Sequence, residues 1–288
     1  MDSTILQRYR RDLVLTGFSS KTQKTYYRSL THFLKYTGEI SVDEIDTEII
    51  KDYLYHLIVE RKLSQSTLRQ ARCSIRYFFS QTLNREIEVA NIPCQKKEKK
   101  LPTVFSVDEV IRIIEATQNS KHKTIFLLAY SSGLRVGEIV NLTIQDINRS
   151  IMRIAVRQGK GHKDRYAILS EVCLNQLETY WKTYQPQKWL FNGYKPESQL
   201  STRAIQHAFK KAKETAGIEK PGGIHTLRHS FATHMLETGS GIFQLQKFLG
   251  HKHLKTTLVY AHITEENTVA TSPLDVFKEK FNHVISHS

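Results

Sequence analysis

Residues 224–239 read IHTLRHSFATHMLETG, and no other stretch of the chain packs so much chemistry into so few positions. On a helix His225 and Arg228 stand three apart and share a face. C-terminal to it, 248–263 read FLGHKHLKTTLVYAHI, which carries His251 and, nine residues later, Tyr260. N-terminal to it, 129–142 read AYSSGLRVGEIVNL, with Arg135 just past Gly133, where an apolar helix breaks. Between these lie two β-prone runs, IMRIAVR and RYAILS, joined by QGKGHKD. Glycines and an aspartate in such a joint signal a hairpin, and its loop carries Lys160 between Gly159 and Gly161.

These residue types together suit one kind of reaction. An arginine binds two phosphate oxygens in a planar fork. Two such arginines supply the charge that a metal would otherwise bring to a phosphoryl transition state. A tyrosine hydroxyl can attack phosphorus and form a covalent ester. A lysine at a loop tip can protonate a leaving oxygen, and Lys163 shares that loop with Lys160, so both stand as candidates. Histidines can move protons or hydrogen-bond the phosphoryl group. The sum is a metal-free transesterification at a phosphodiester. His225 and His229, four apart, could ligate zinc from one helix face. However, HTLRH lacks the glutamate of a zinc-protease motif, and Arg228 between the histidines repels a cation. No metal or cofactor is expected, and His229 is placed behind the site.

The rest of the chain agrees with a polyanion as partner. Its 288 residues carry 42 Lys and Arg against 28 Asp and Glu, a formal net charge of +14. A charge of that size, on a chain with 13 Tyr and 13 Phe, makes nucleic acid the leading partner class. The hydrophobic share of 40% is that of a globular protein and excludes disorder of the whole chain. No apolar run approaches a membrane span, and the N-terminus has no signal-peptide core, so a cytoplasmic protein with no membrane partner is expected. Cys73, Cys94 and Cys173 form no CxxC pair and read as inert thiols in a reducing compartment.

Periodicity divides the chain. Apolar stripes at helical spacing in 3–16, 20–37, 47–62 and 64–83 predict four amphipathic helices, hence a compact bundle over 1–90. NIPCQKKEKKLPTV, with two prolines and a lysine run that includes Lys97 and Lys100, predicts a linker over 91–103 that lies along phosphates. Residues 104–288 then read as a mainly helical second domain with a small antiparallel sheet. Ser106 and Glu109 have capping-box spacing. Leu274, Phe277, Phe281 and Ile285 predict a last helix over about 273–285. Basic faces around Arg69, Arg72 and Arg76, and around Arg203, Gln206 and Lys210, are candidates to enter a DNA groove.

The boxes AYSSGLRVGEIVNL, GKGHKDR, HTLRHSFATHML, LGH and TTLVYAH, in that order, resemble the motif set of the tyrosine recombinases. SKTQKTYYRSLTHFLKY at 20–36 resembles the second helix of the core-binding, SAM-like domain of Xer recombinases and integron integrases. AFKKAKETAGI at 208–218 and TSPLD at 271–275 are similar to integron integrases in particular, although no room is left between Trp181 and Trp189 for their helical insertion. The resemblance implies that Tyr260 is the nucleophile, leaving a 3′-phosphotyrosine and a free 5′-hydroxyl. It implies that Arg135 and Arg228 clamp the phosphate and that Lys160 is the general acid. His225 would be proton acceptor or transition-state donor, His251 a hydrogen-bond donor to the phosphate, and Glu138 an organiser of the shell. It further implies a C-shaped clamp of two domains on double-stranded DNA with inverted-repeat core sites. It implies no additional arm-binding domain, a monomer or weak dimer without DNA, and a homotetramer at synapsis, docked through the last helix and passing through a Holliday junction. Two alternatives stand beside it. A type IB topoisomerase would relax DNA without pairing sites, and a regulator on the same fold would bind without cutting.

Overall fold

The computed structural model describes residues 3–85, 101–157, 164–195 and 197–264. Lys97, Lys100, Lys160, Lys163 and the helix expected over 273–285 lie outside the described residues. The chain divides into two compact units, Met1–Lys99 and Lys100–Ser288.

The first unit is the helical bundle that the apolar stripes predict: α1 (Ser3–Leu15), α2 (Ser20–Thr37), α3 (Thr47–Val59) and α4 (Gln65–Tyr77). The last runs on into a π turn over Phe78–Thr82. Ser19, Asp46 and Ser64 cap α2, α3 and α4 by accepting from the backbone N–H three residues on, which satisfies donors that a helix start leaves free. The stripes meet in one core of Tyr9, Leu13, Leu30, Phe33, Ile50, Leu54, Ile75, Phe78 and Phe79. The buried Tyr9 hydroxyl meets Ser74 Oγ at 3.0 Å, and Ser74 Oγ donates to the Tyr26 carbonyl at 2.7 Å, so these two buried hydroxyls are paired, whereas the buried Thr82 hydroxyl has no partner among the described residues.

The second unit is mainly helical around one small sheet. Its helices are α5 (Val107–Glu115), α6 (Ser120–Ser132), α7 (Val136–Ile139), α8 (Glu171–Tyr184), α9 (Thr202–Thr215), α10 (Ile224–Glu237), α11 (Ile242–Leu249) and α12 (Leu254–Thr264). The capping box of Ser106 and Glu109 opens α5 as its spacing predicts. The hairpin is β2 (Arg153–Val156) and β3 (Arg165–Ile168), antiparallel, with Ile154 opposite Ala167. A two-residue β1 (Ile147–Asn148) extends it to three strands in the order β1-β2-β3, and is too short to show an alternating pattern in sequence. After Gly133 the chain forms only the single turn of α7, with Arg135 at its N-cap.

Two helices place the site. α6 packs on α5, α8, α9 and α10 and buries Thr124, Ile125, Phe126, Leu128, Ala129 and Ser132. α10 buries eight of its fourteen residues, from Ile224 to Thr233. Helices buried nearly all round lose the one-sided stripe, which makes them central to the unit and fixes the groups at their ends.

Candidate active site

Gly133 ends α6 in the left-handed region, at φ 60°. A Cβ there would stand 2.4 Å from Phe231 Cδ1, so only glycine lets the chain turn against α10. The turn delivers Arg135 to the start of α7, one turn before Glu138. The Glu138 carboxylate is 9% exposed and organises the centre. Its Oε2 accepts from the Arg135 backbone N–H at 2.8 Å, and its Oε1 from Arg135 Nη1 at 2.8 Å. Arg165, at the start of β3, donates to both oxygens in a fork, Nη1 to Oε1 at 2.9 Å and Nη2 to Oε2 at 2.8 Å. Arg165 Nε also donates to the Phe248 carbonyl at 3.0 Å. One carboxylate thereby ties α7, β3 and the end of α11.

Arg228 is 2% exposed. It donates to the carbonyls of Gly133 and of Leu249, the latter at 2.7 Å, and to His251 Nε2 at 3.1 Å. Its Nη1 stands 3.9 Å from Glu138 Oε2, an ion pair without a hydrogen bond. Burial, then the charge of Arg135, pulls Arg228 down to about 9, which leaves it charged at neutral pH. Burial by itself would raise the Glu138 carboxyl. The hydrogen bonds and charge of Arg165, with those of Arg135, outweigh it and hold the group at about 2. Three guanidiniums around one carboxylate leave a surplus of two positive charges, a setting for a phosphodiester.

A guanidinium only donates, so His251 Nε2 must accept from Arg228 and the ring proton sits on Nδ1. Nδ1 meets Thr257 Oγ1 at 2.9 Å. Both ring nitrogens are thus engaged within the protein, by Arg228 and by Thr257. Burial, then Arg228 and Arg135, pushes His251 down to about 4 and keeps it neutral.

Tyr260 lies on α12, 4% exposed. Its hydroxyl meets His229 Nδ1 at 2.8 Å. Burial raises the phenol above its ordinary value, and Arg228 and Arg135 partly oppose that. His229, placed behind the site on sequence, is instead the residue that touches the tyrosine. It sits one turn beyond His225 on the same face of α10, and α12 packs on that helix. The two rings lie edge to face, 5.0 Å apart. His225 is exposed, and burial with the charges of Arg228 and Arg135 lowers it. The structure thus gathers Arg135, His225, Arg228, His251 and Tyr260 in one place. Arg165, Thr257 and His229 join them. A sequence reading reaches Arg165 only through its place at the foot of the GKGHKDR loop.

The candidate groove-binding residues stand elsewhere. Arg69 and Arg76 are exposed and Arg72 half-buried on α4. Arg203 and Lys210 are exposed on α9, and Lys210 stands 3.7 Å from Glu214. The first unit also has an open groove of about 1090 Å³ along α2, α3 and α4. Lys21, Lys24, Arg28, Lys35 and Arg61 line it, with no carboxylate among its lining residues. The signal was present in sequence as basic residues at positions 21, 24, 28 and 35, one face of α2.

A buried tyrosine beside clustered arginines, on a helical unit with a three-stranded sheet, defines an enzyme that transfers phosphodiester strands to a tyrosine hydroxyl. The chain belongs to the phage integrase family, whose pattern matches residues 103–267, and the family's N-terminal SAM-like domain matches residues 5–89. An integrase/recombinase relative in Sinorhizobium fredii is 37% identical over 267 residues, 92% of this chain and 86% of the relative. Tyrosine recombinase XerD of Staphylococcus epidermidis is 34% identical over 283 residues, 91% of this chain and 95% of the relative. A lambda integrase, solved as a tetramer bound to a Holliday junction, shares the fold at a TM-score of 0.76 and 20% identity. That match covers 93% of this chain and 79% of the other. The expected fold class stands: a SAM-like helical domain and a helical catalytic domain with a small antiparallel sheet.

Proposed function

We propose that the chain cuts and rejoins duplex DNA at inverted-repeat core sites as a site-specific tyrosine recombinase, working as a tetramer that passes through a Holliday junction. The recombinase class comes from the family. The observation that supports the cleavage chemistry is the site's geometry: a buried tyrosine within the field of Arg228 and Arg135, which Glu138 holds together with Arg165. Tyr260 Oη attacks the scissile phosphorus, the bond to the 5′-oxygen breaks, and a 3′-phosphotyrosine remains. Arg135 and Arg228 hold the non-bridging oxygens, pinned by Glu138 and by His251. Lys160 or Lys163 gives its proton to the leaving 5′-oxygen. His225 stands at the solvent side as a donor to the phosphoryl group. The ester keeps the energy of the broken bond, so rejoining needs no nucleotide, and the guanidiniums supply the charge a metal would bring. The DNA partner and the tetramer are supported by the lambda integrase neighbour on its junction. A cytoplasmic setting follows from that substrate. Among the described residues no helix is long and apolar enough to cross a membrane.

The test is capture of covalent protein–DNA adducts from cells that express the chain, beside Tyr260→Phe, with sequencing of the attached DNA. Adducts that require Tyr260 and collect at one inverted repeat are expected. Scattered adducts would move the reading to a type IB topoisomerase, and none from either protein would leave a DNA-binding regulator.

A further inference from the structure

Three histidines surround the tyrosine, and their hydrogen bonds give them different capacities. His251 is occupied at both nitrogens, by Arg228 and by Thr257. Its ring stacks near Tyr260, 6.4 Å between centroids, and makes its hydrogen bonds to Arg228 and Thr257. His225 is exposed and pairs edge to face with His229. His229 alone among them places a ring nitrogen on the nucleophile, Nδ1 to Tyr260 Oη at 2.8 Å. When phosphorus bonds to that oxygen, the phenol proton must leave, and His229 Nδ1 is the ring nitrogen within hydrogen-bond distance of it.

We propose that His229 is the base that takes the Tyr260 proton at each strand cleavage and returns it at each rejoining. The inference rests on the recombinase reading and deepens it. As the Oη–P bond forms, the Oη–H bond breaks and its proton goes to the Nδ1 electron pair. The P–O5′ bond breaks at the same time, and the 5′-oxygen leaves with the proton of the loop lysine. Rejoining runs each transfer backward, and His229 is again neutral.

The electrostatics fit a base that acts only on a bound phosphate. Burial, then His225 and Arg228, pushes His229 down to about 4, so it is neutral and can accept. The groups that face it are His225 and Arg228 on α10, Tyr260 on α12 and His251 after α11. With the phenol raised by burial, the proton stays on Tyr260 in the free enzyme. A phosphate seated on Arg228 and Arg135 offsets the charge that depresses His229 and strengthens it as a base when it is needed.

Two measurements on the full-length protein test this. The first needs no DNA. Nitrogen-15 NMR of the histidine rings at neutral pH should show His229 Nδ1 unprotonated and displaced by Tyr260→Phe. A protonated Nδ1 would overturn the proposal and leave the recombinase reading intact. The second follows adduct formation on a nicked duplex of the core site recovered from the adduct sequencing, with sulfur in place of the bridging 5′-oxygen. Sulfur removes the need for the loop lysine and isolates the nucleophile's proton. His229→Asn keeps an acceptor near the position of Nδ1 but takes no proton. It should lower the rate at neutral pH on the order of 100-fold, and the rate should then climb with pH as hydroxide replaces the base. His225→Gln, which loses a donor to the phosphoryl group but not the base, should lower the rate without making it climb with pH as hydroxide replaces a base. A wild-type rate and profile in His229→Asn, or an equal loss at every pH, would make His229 a structural residue. No adduct from the wild-type protein would overturn the recombinase reading, and this proposal with it.

Discussion

Glu138 decides more of this site than any residue that would touch a substrate. It is one buried anion among three guanidiniums, and two of them, on Arg165 and Arg228, are buried with it. Removing its charge leaves them uncompensated, which costs about 3–5 kcal/mol. The same residue gives the catalytic unit its acid sensitivity. Its folded value, near 2, lies below the ordinary 4.5. Its stabilisation is therefore complete above about 4.5 and lost as pH falls toward 2. His229 and His251, held near 4 from 6.5, act one window higher. Between those values the unfolded chain binds more protons, so stability again falls with pH. Urea unfolding should thus weaken in two steps on acidification, from pH 6.5 to 4 and from 4.5 to 2. Both tryptophans, Trp181 and Trp189, lie in the second unit and report it. Glu138→Gln should lower stability at pH 7 and flatten the lower step, and an unchanged lower step would remove Glu138 from the account. The arginines, Tyr260 and the organising role of Glu138 were legible in the motif boxes. The His229 contact was not, because spacing on α10 tells which residues share a face and not which of them α12 packs against.

At the scale of elements, the site depends on how helices end. Amphipathic stripes made the four helices of the first unit legible, with α3 ending three residues before the stripe does and the stripe of α4 running on through the π turn. α6 and α10 were legible by their apolar runs and flanking glycines, not by stripes, since both are buried nearly all round. β1 was not legible, because two residues carry no period. The end of α11 is the sharpest case. Gly250 holds φ 63°, and a Cβ there would stand 2.5 Å from Arg165 Cδ. The LGH box therefore reads physically as a helix end that must leave room for the arginine held by Glu138. Gly250→Ala should cost about 1 kcal/mol for the left-handed backbone, a modest loss. It should also push Arg165 off Glu138 and the Phe248 carbonyl and so cost adduct formation far more than stability. The check is the midpoint of tryptophan-detected unfolding set against the rate of adduct formation. Equal proportional losses in both would show that Gly250 serves the fold alone.

At the scale of the whole molecule, the surplus of fourteen positive charges is unevenly spent. In the second unit the arginines around Glu138 are few and mostly buried, suited to one phosphate. In the first unit the basic residues of α2 line an open groove with no acidic neighbour on its walls. A groove of that kind suits a polyanion's backbone, and the charge alone had pointed to the partner class without pointing to this face. The sequence reading named two other faces, that of Arg69, Arg72 and Arg76 on α4 and that of Arg203, Gln206 and Lys210 on α9, because basic residues spaced along one helix are conspicuous. The basic residues of α2 are spread over fifteen positions and interleaved with the stripe that builds the core. The two faces make different demands on salt. Duplex affinity should fall with salt at about 0.9 log units per log unit for each phosphate neutralised. If the groove carries the contacts, changing Lys21, Lys24 and Arg28 together to alanine should reduce that slope by about 2 to 3. Changing Arg69 and Arg76 should then leave it nearly as it was. All five side chains are exposed on helix surfaces, away from the first unit's core of Tyr9, Phe33 and Ile75, so the variants should fold. Binding isotherms on one duplex at several salt concentrations read the slope directly. The opposite pattern, a slope lowered by the α4 pair and unmoved by the α2 triple, would place the DNA on the α4 face, one of the two that the sequence reading named.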